Sequence, residues 1–202
     1  MPCAVPRAAK HGDAVAMPLS FKWWDYAAGL LAGGLSFILL PLPVSAFAAA
    51  LGIIAVLIAV VDLDRYIIPD SAVLAMLVLG LGLAAVEAGS NWDSALAEAG
   101  LRAVVTGGLF YLLGAGYRRL TGIDGLGLGD VKLAAAAGPW LMWPTLPFAV
   151  AVAAVGALLT TGARAMLLRE ELRMKQELPF GAFLAPAIWM SLLIERLWLT
   201  ST

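Results

Sequence analysis

Residues 44–64 read VSAFAAALGIIAVLIAVVDLD, an uncharged run of apolar and small residues that ends in Asp62 and Asp64. A membrane-crossing helix needs roughly 20 mostly apolar residues, and Val44 to Val61 has that length and character. A carboxylate at the edge of hydrocarbon costs a few kcal/mol on insertion scales, so such a residue is a functional suspect. A second acid stands in a comparable place. Gly125-Leu126-Gly127-Leu128-Gly129-Asp130 leads into another apolar segment.

Working outward, the composition supports the same reading. The chain of 202 residues is 62% hydrophobic and 13% charged, with a mean hydropathy of +0.91, which excludes an ordinary soluble domain. Seven Trp and 21 Gly suit a membrane protein, because Trp anchors at interfaces and Gly permits close helix contact. The expected fold is all-α, a polytopic membrane helix bundle with six or seven transmembrane helices. Helices are expected near Trp24–Leu40, Val44–Val61, from just after Asp70 to Ala88, Ala95–Tyr117, Val131–Met142, Leu146–Leu168 and Phe180–Leu199. The fifth is short and Pro-interrupted, so it reads as a tight hairpin with the sixth or as partly re-entrant. Residues 1–20 read as a disordered or mis-started N-terminal tail, with Met17 as a more natural start. Residues 21–202 read as one integral membrane domain, with no internal repeat.

Lys and Arg are retained on the cytoplasmic side of short loops. With the N-terminus inside, Arg7, Lys10, Lys22, Arg65, Arg118, Arg119, Lys132, Arg164, Arg169, Arg173 and Lys175 fall at the cytoplasmic face. Arg102 and Arg196 alone among the 13 Lys and Arg fall opposite. This topology brings both acidic clusters to one face. The net charge of −1 and the scattered basic residues offer no nucleic-acid-binding stripe.

Each acid also has a plainer reading. Asp62 could be a helix end reaching into headgroup water. Asp64 lies roughly 200° further round a helix and cannot share a face with Asp62, so it pairs with Arg65 or solvent. Pro69 lacks a backbone donor, and Asp70 after it stands where an N-cap belongs, with a supporting role for a neighbouring acid as the alternative. Asp130 could be only the N-cap of a Val131–Ala137 helix, and Asp124 is solvated. Glycines at 125, 127 and 129 let the chain bend sharply and admit a second backbone. The segment lacks the Gly-Lys-Ser/Thr ending of a phosphate loop.

Taken together, Val61-Asp62-Leu63-Asp64-Arg65-Tyr66-Ile67-Ile68-Pro69-Asp70 and Gly127-Leu128-Gly129-Asp130-Val131-Lys132-Leu133 resemble the type IV prepilin peptidases, intramembrane aspartyl proteases of the Gly-x-Gly-Asp type. Pro179-Phe180-Gly181-Ala182-Phe183-Leu184-Ala185 is similar to a third family segment, in which Pro usually stands where Ala182 does. The resemblance covers about Leu51 to Trp189. It implies that Asp62 and Asp130 are the catalytic pair, with Asp64, Asp70, Gly127, Gly129 and Lys132 in support. It also implies prepilin or pseudopilin substrates, whose short basic leader is cut at the cytoplasmic face of the bacterial inner membrane. Lys132 and Arg65 would then orient acidic groups of the substrate. Many members carry a cytosolic domain with paired Cys-x-x-Cys motifs linked to N-methylation. With Cys3 as its one cysteine, this chain resembles the short, peptidase-only form.

His11 is the one histidine, which removes a His-Glu-x-x-His zinc site and a Ser-His nucleophile in the membrane. Two neighbouring carboxyl groups that share a proton need no metal and no cofactor. The rival readings are a proton-coupled transporter or channel, which would hold its acids near mid-membrane in an inverted repeat, and an inactive assembly subunit of a pilus or secretion machine.

Overall fold

The computed structural model describes residues 22–122, 125–168 and 179–201. The expectations for the tail at 1–20, for Asp124 and for the charged stretch 169–177 lie outside the described residues. Those described form seven α-helices and no strand: α1 Trp23–Leu39, α2 Val44–Arg65, α3 Asp70–Ala88, α4 Trp92–Thr121, α5 Leu128–Ala137, α6 Thr145–Leu168 and α7 Gly181–Ser201. All-helical architecture follows from the apolar surroundings, because a helix satisfies its backbone donors and acceptors within its own segment.

Four stretches are long and apolar enough to cross a membrane by length and composition: Val44–Arg65, Asp70–Thr121, Thr145–Ala163 and Gly181–Leu199. The second of these holds two helices. A straight helix of its 52 residues would reach about 78 Å, against roughly 30 Å of bilayer hydrocarbon. The break falls at Gly89, with φ 56°, in a short 3-10 turn over Gly89–Asn91. Beyond it α4 returns to pack on α3.

Several helix ends differ from expectation, and those of α2, α3 and α5 concern the acids. α2 does not stop at Val61 but runs on to Arg65, ending at Tyr66 in the left-handed conformation with its N–H donating to the Asp62 carbonyl at 2.9 Å. Asp62 therefore lies inside the last helical turn. α5 begins at Leu128 and ends at Ala137, so Asp130 is within the helix rather than its N-cap. The expected span to Met142 is cut short by turns at Gly138 and Pro139.

Small residues set the packing. α2 and α7 lie against each other at the centre, α1 packs on α2, α6 on α7, and α5 fits among α3, α4 and α7. Ala149, Ala153 and Ala157 are buried one turn apart along α6, a stripe that lets helix backbones approach closely. Gly138 lies on the backbone of Ala103, where any side chain would collide. Trp140, fully buried, fills the space at Gly80 and donates its indole N–H to the Met76 carbonyl at 2.9 Å. These contacts seat α5 deep between α3 and α4, and so fix where Asp130 stands.

Candidate active site

Asp62 is buried, at 4% exposure. Its Oδ2 accepts a hydrogen bond from the Ala182 N–H at 2.8 Å. Ala182 is the second residue of α7, whose first-turn amides have no partner inside their own helix. The carboxylate thus satisfies one of those donors and sits at the positive end of the helix dipole. Gly181 makes this approach possible. A Cβ there would lie 3.1 Å from Asp62 Oδ2 and 2.5 Å from Ile68 Cδ1.

Asp130 is held differently. Gly127 is the N-cap of α5, which makes Asp130 the third helical residue, and its carboxylate takes a hydrogen bond from the Gly127 backbone. α5 lies outside the four candidate spans. Burial pushes the Asp130 carboxyl up to about 6, the Asp62 charge adds to the rise, and the Gly127 hydrogen bond opposes it. Two acids 68 positions apart in sequence are therefore within electrostatic reach of one another. Neither forms an ion pair among the described residues.

The remaining acids separate from this pair. Asp64 is exposed and lies 3.8 Å from Arg65 Nε, in keeping with its solvent-facing reading. Asp70 is not an N-cap. Pro69 holds that position, no side chain caps the helix, and Asp70 instead accepts from Lys132 Nζ at 2.8 Å. Competition explains the difference: the Lys132 ammonium on α5 offers a charged donor, stronger than a backbone amide. Lys132 is thereby tied to α3. Gly127 caps α5, and Gly129 lies against Ile68, whose Cβ and Cδ1 would both stand 3.3 Å from a methyl there. Among the described residues no group of three His, Cys, Asp or Glu could hold a metal ion.

Two participants escaped the motif reading. The Ala182 N–H carries no side-chain signature, although the Pro179-to-Ala185 segment marked its neighbourhood. Ile68 is half-buried and packs on the hydrophobic core. In sequence it is one more apolar residue before a proline.

The profile of the type IV leader peptidase family matches residues 49–162, a stretch holding both Asp62 and Asp130. A prepilin leader peptidase/N-methyltransferase of Burkholderia pseudomallei is 37% identical over 176 residues, 80% of this chain and 50% of that protein. One from Aeromonas hydrophila is 35% identical over 146 residues, 70% of this chain and 48% of its own. The leader peptidase HopD of Escherichia coli is 42% identical over 108 residues, 50% of this chain and 67% of that protein. The chain spans about half the length of the Burkholderia and Aeromonas proteins. No solved structure matches it significantly.

Proposed function

The chain belongs to the type IV leader peptidase family, and from that premise we propose that it is a membrane-embedded aspartic endopeptidase that removes the leader of type IV prepilins or pseudopilins. Asp62 and Asp130 are the catalytic pair in this reading. The observation that carries it is their convergence: acids from α2 and α5 share one end of the bundle, without an ion pair to either among the described residues, and repel one another.

Two such carboxyl groups hold one proton between them. The ionised partner draws a proton from water, while the protonated partner polarises the scissile carbonyl. The pair titrates as a unit, so the proton belongs to both. The Ala182 and Gly127 amides hold the two side chains in place, and the water-poor surroundings strengthen every charge interaction.

The cut is made at the cytoplasmic face of the bacterial inner membrane, with the N-terminus on that side. α2 ends, α3 begins, α4 ends and α5 and α7 begin at the end that carries Asp62 and Asp130, beside Arg65, Arg118, Arg119 and Lys132. Arg102 and Arg196 lie toward the other ends of their helices. That asymmetry favours a cytoplasmic site. Helix-end acids suit cleavage at a membrane face better than a mid-membrane proton relay.

Co-expression with a prepilin tests the proposal directly. The unaltered protein should shorten the prepilin on a gel, and Asp62→Asn and Asp130→Asn should each leave it full-length while still inserting into the membrane. Normal processing by Asp130→Asn protein would remove the aspartic mechanism.

A further inference from the structure

Ile68 touches the supports of both acids. Its Cβ, Cδ1 and Cγ1 lie 3.3, 3.3 and 3.4 Å from where a methyl on Gly129 would be, next to Asp130. On the other side its Cδ1 and Cγ1 lie 2.5 and 3.0 Å from a methyl position on Gly181, next to Ala182. The same Gly181 position is 3.1 Å from Asp62 Oδ2. One branched side chain is thus wedged between the first turns of α5 and α7. Each turn holds one acid, Asp130 as a member of α5 and Asp62 through the Ala182 amide.

We propose that Ile68 is a positioning residue, a spacer whose bulk sets how closely the α5 and α7 termini, and with them Asp130 and Asp62, approach each other. The inference rests on the peptidase reading for its consequence in catalysis, but not for the geometry. Ile68 is suited to the task because it cannot swing away. Tyr66 ends α2 two residues before it, and Pro69 directly after it is the N-cap of α3 with a fixed φ. Its β-branch also restricts χ1. The two glycines are the counterpart: each gives Ile68 a backbone surface to lean on, and a methyl at either would push against it.

A displacement of about 1 Å at reacting groups costs on the order of 100-fold in rate. Gly181→Ala should therefore lower kcat by roughly 10- to 100-fold with KM little changed, because the acids act on the chemical step. Adding Ile68→Val removes Cδ1, the closest atom, and should recover roughly tenfold of that loss. The same Val change should recover far less from Gly129→Ala, where Cβ remains at 3.3 Å. Equal recovery at both glycines would mean general loosening and would overturn the spacer, as would no recovery at either.

A second measurement needs neither activity nor an added methyl. In a Cys3→Ser background, protein carrying Asp62→Cys and Asp130→Cys should cross-link on oxidation several-fold faster once Ile68→Ala is added. An unchanged rate overturns the inference. If the unaltered protein leaves prepilin uncut, the peptidase reading fails while the cross-linking rates still decide the spacer.

Discussion

The two ends of the bundle treat charge in opposite ways. At the end away from the candidate site, Arg196 pairs through both terminal nitrogens with Glu87, at 2.6 and 2.8 Å. Arg102 donates to the Gly138 carbonyl at 3.0 Å and to Glu98 at 2.6 Å. Buried Glu195 accepts the Met142 N–H at 3.0 Å, bracing the turn before α6. Every one of these groups has a partner of opposite charge or a backbone dipole, and every bond but Arg102–Glu98, which lies within α4, ties two segments together. At the other end, Asp62 and Asp130 have backbone amides for company and each other for a neighbour. Compensated charge holds helices together, whereas an uncompensated pair of acids stores repulsion that folding alone would not select.

That comparison breaks most easily at the acids. Asp62→Asn or Asp130→Asn removes the shared proton while keeping size, and should lower prepilin cleavage by about 10²- to 10⁴-fold. Gel-shift assays on equal amounts of membrane-inserted protein would measure it. Stability should hold or rise, because the repulsion between two carboxylates is relieved. A loss of both folding and activity would mean that these acids serve structure, like those at the far end.

The far end should respond in the reverse sense. Glu87→Gln weakens a charge-assisted pair and should destabilise the protein by roughly 1–3 kcal/mol, seen as a lower melting temperature in detergent. Cleavage per folded molecule should be unchanged. An activity loss without destabilisation would erase the distinction between the two ends.

Acidity sharpens the comparison further. With Asp130 pushed up to about 6 by burial and by the Asp62 charge, the proposed catalytic pair would keep its shared proton below that pH and lose it as pH rises through it. The kcat/KM of the free enzyme should therefore fall on the alkaline side of about 6, by about tenfold per pH unit once the limb is established. The limb belongs to the pair rather than to Asp130 alone. A flat profile from pH 6 to 9 would argue that neither carboxyl donates a proton in the rate-determining step.

Much of this arrangement was legible in the chain itself. The uncharged run before Asp62 announces α2 because burial of apolar side chains and internal pairing of the backbone both favour a long helix there. The alternating glycines before Asp130 announced a place of close approach. Their neighbours were not legible: Gly129 and Gly181 receive Ile68, and Gly125 lies on the ring of Tyr117. Helix ends were the weak point. Asp62 and Asp64 looked like terminators, yet a helix continues through acids when a left-handed residue such as Tyr66 is available to stop it. Asp70 looked like a cap because Lys132 is 62 residues away, and local chemistry does not reveal a partner brought in by packing.

The Asp70–Lys132 pair makes the finest test, because it resembles the far end in chemistry but belongs to the candidate site by position. It joins the start of α3 to the N-terminal half of α5 at 2.8 Å, with side chains 75% and 54% exposed. Exposed pairs of this kind contribute about 0.2–1 kcal/mol and are screened by salt. If the pair acts only as a clasp, Lys132→Met should destabilise the protein slightly and change cleavage by no more than about threefold, with the difference fading at high ionic strength. Asp70→Asn should do the same, and the double variant should be no worse than either, since the second change has no interaction left to remove. A large, salt-insensitive loss from Lys132→Met, not matched by Asp70→Asn, would instead show the ammonium working on substrate or on the Asp130 carboxylate. Lys132 would then join the uncompensated end of the molecule, and the line between the two ends would run through α5 itself.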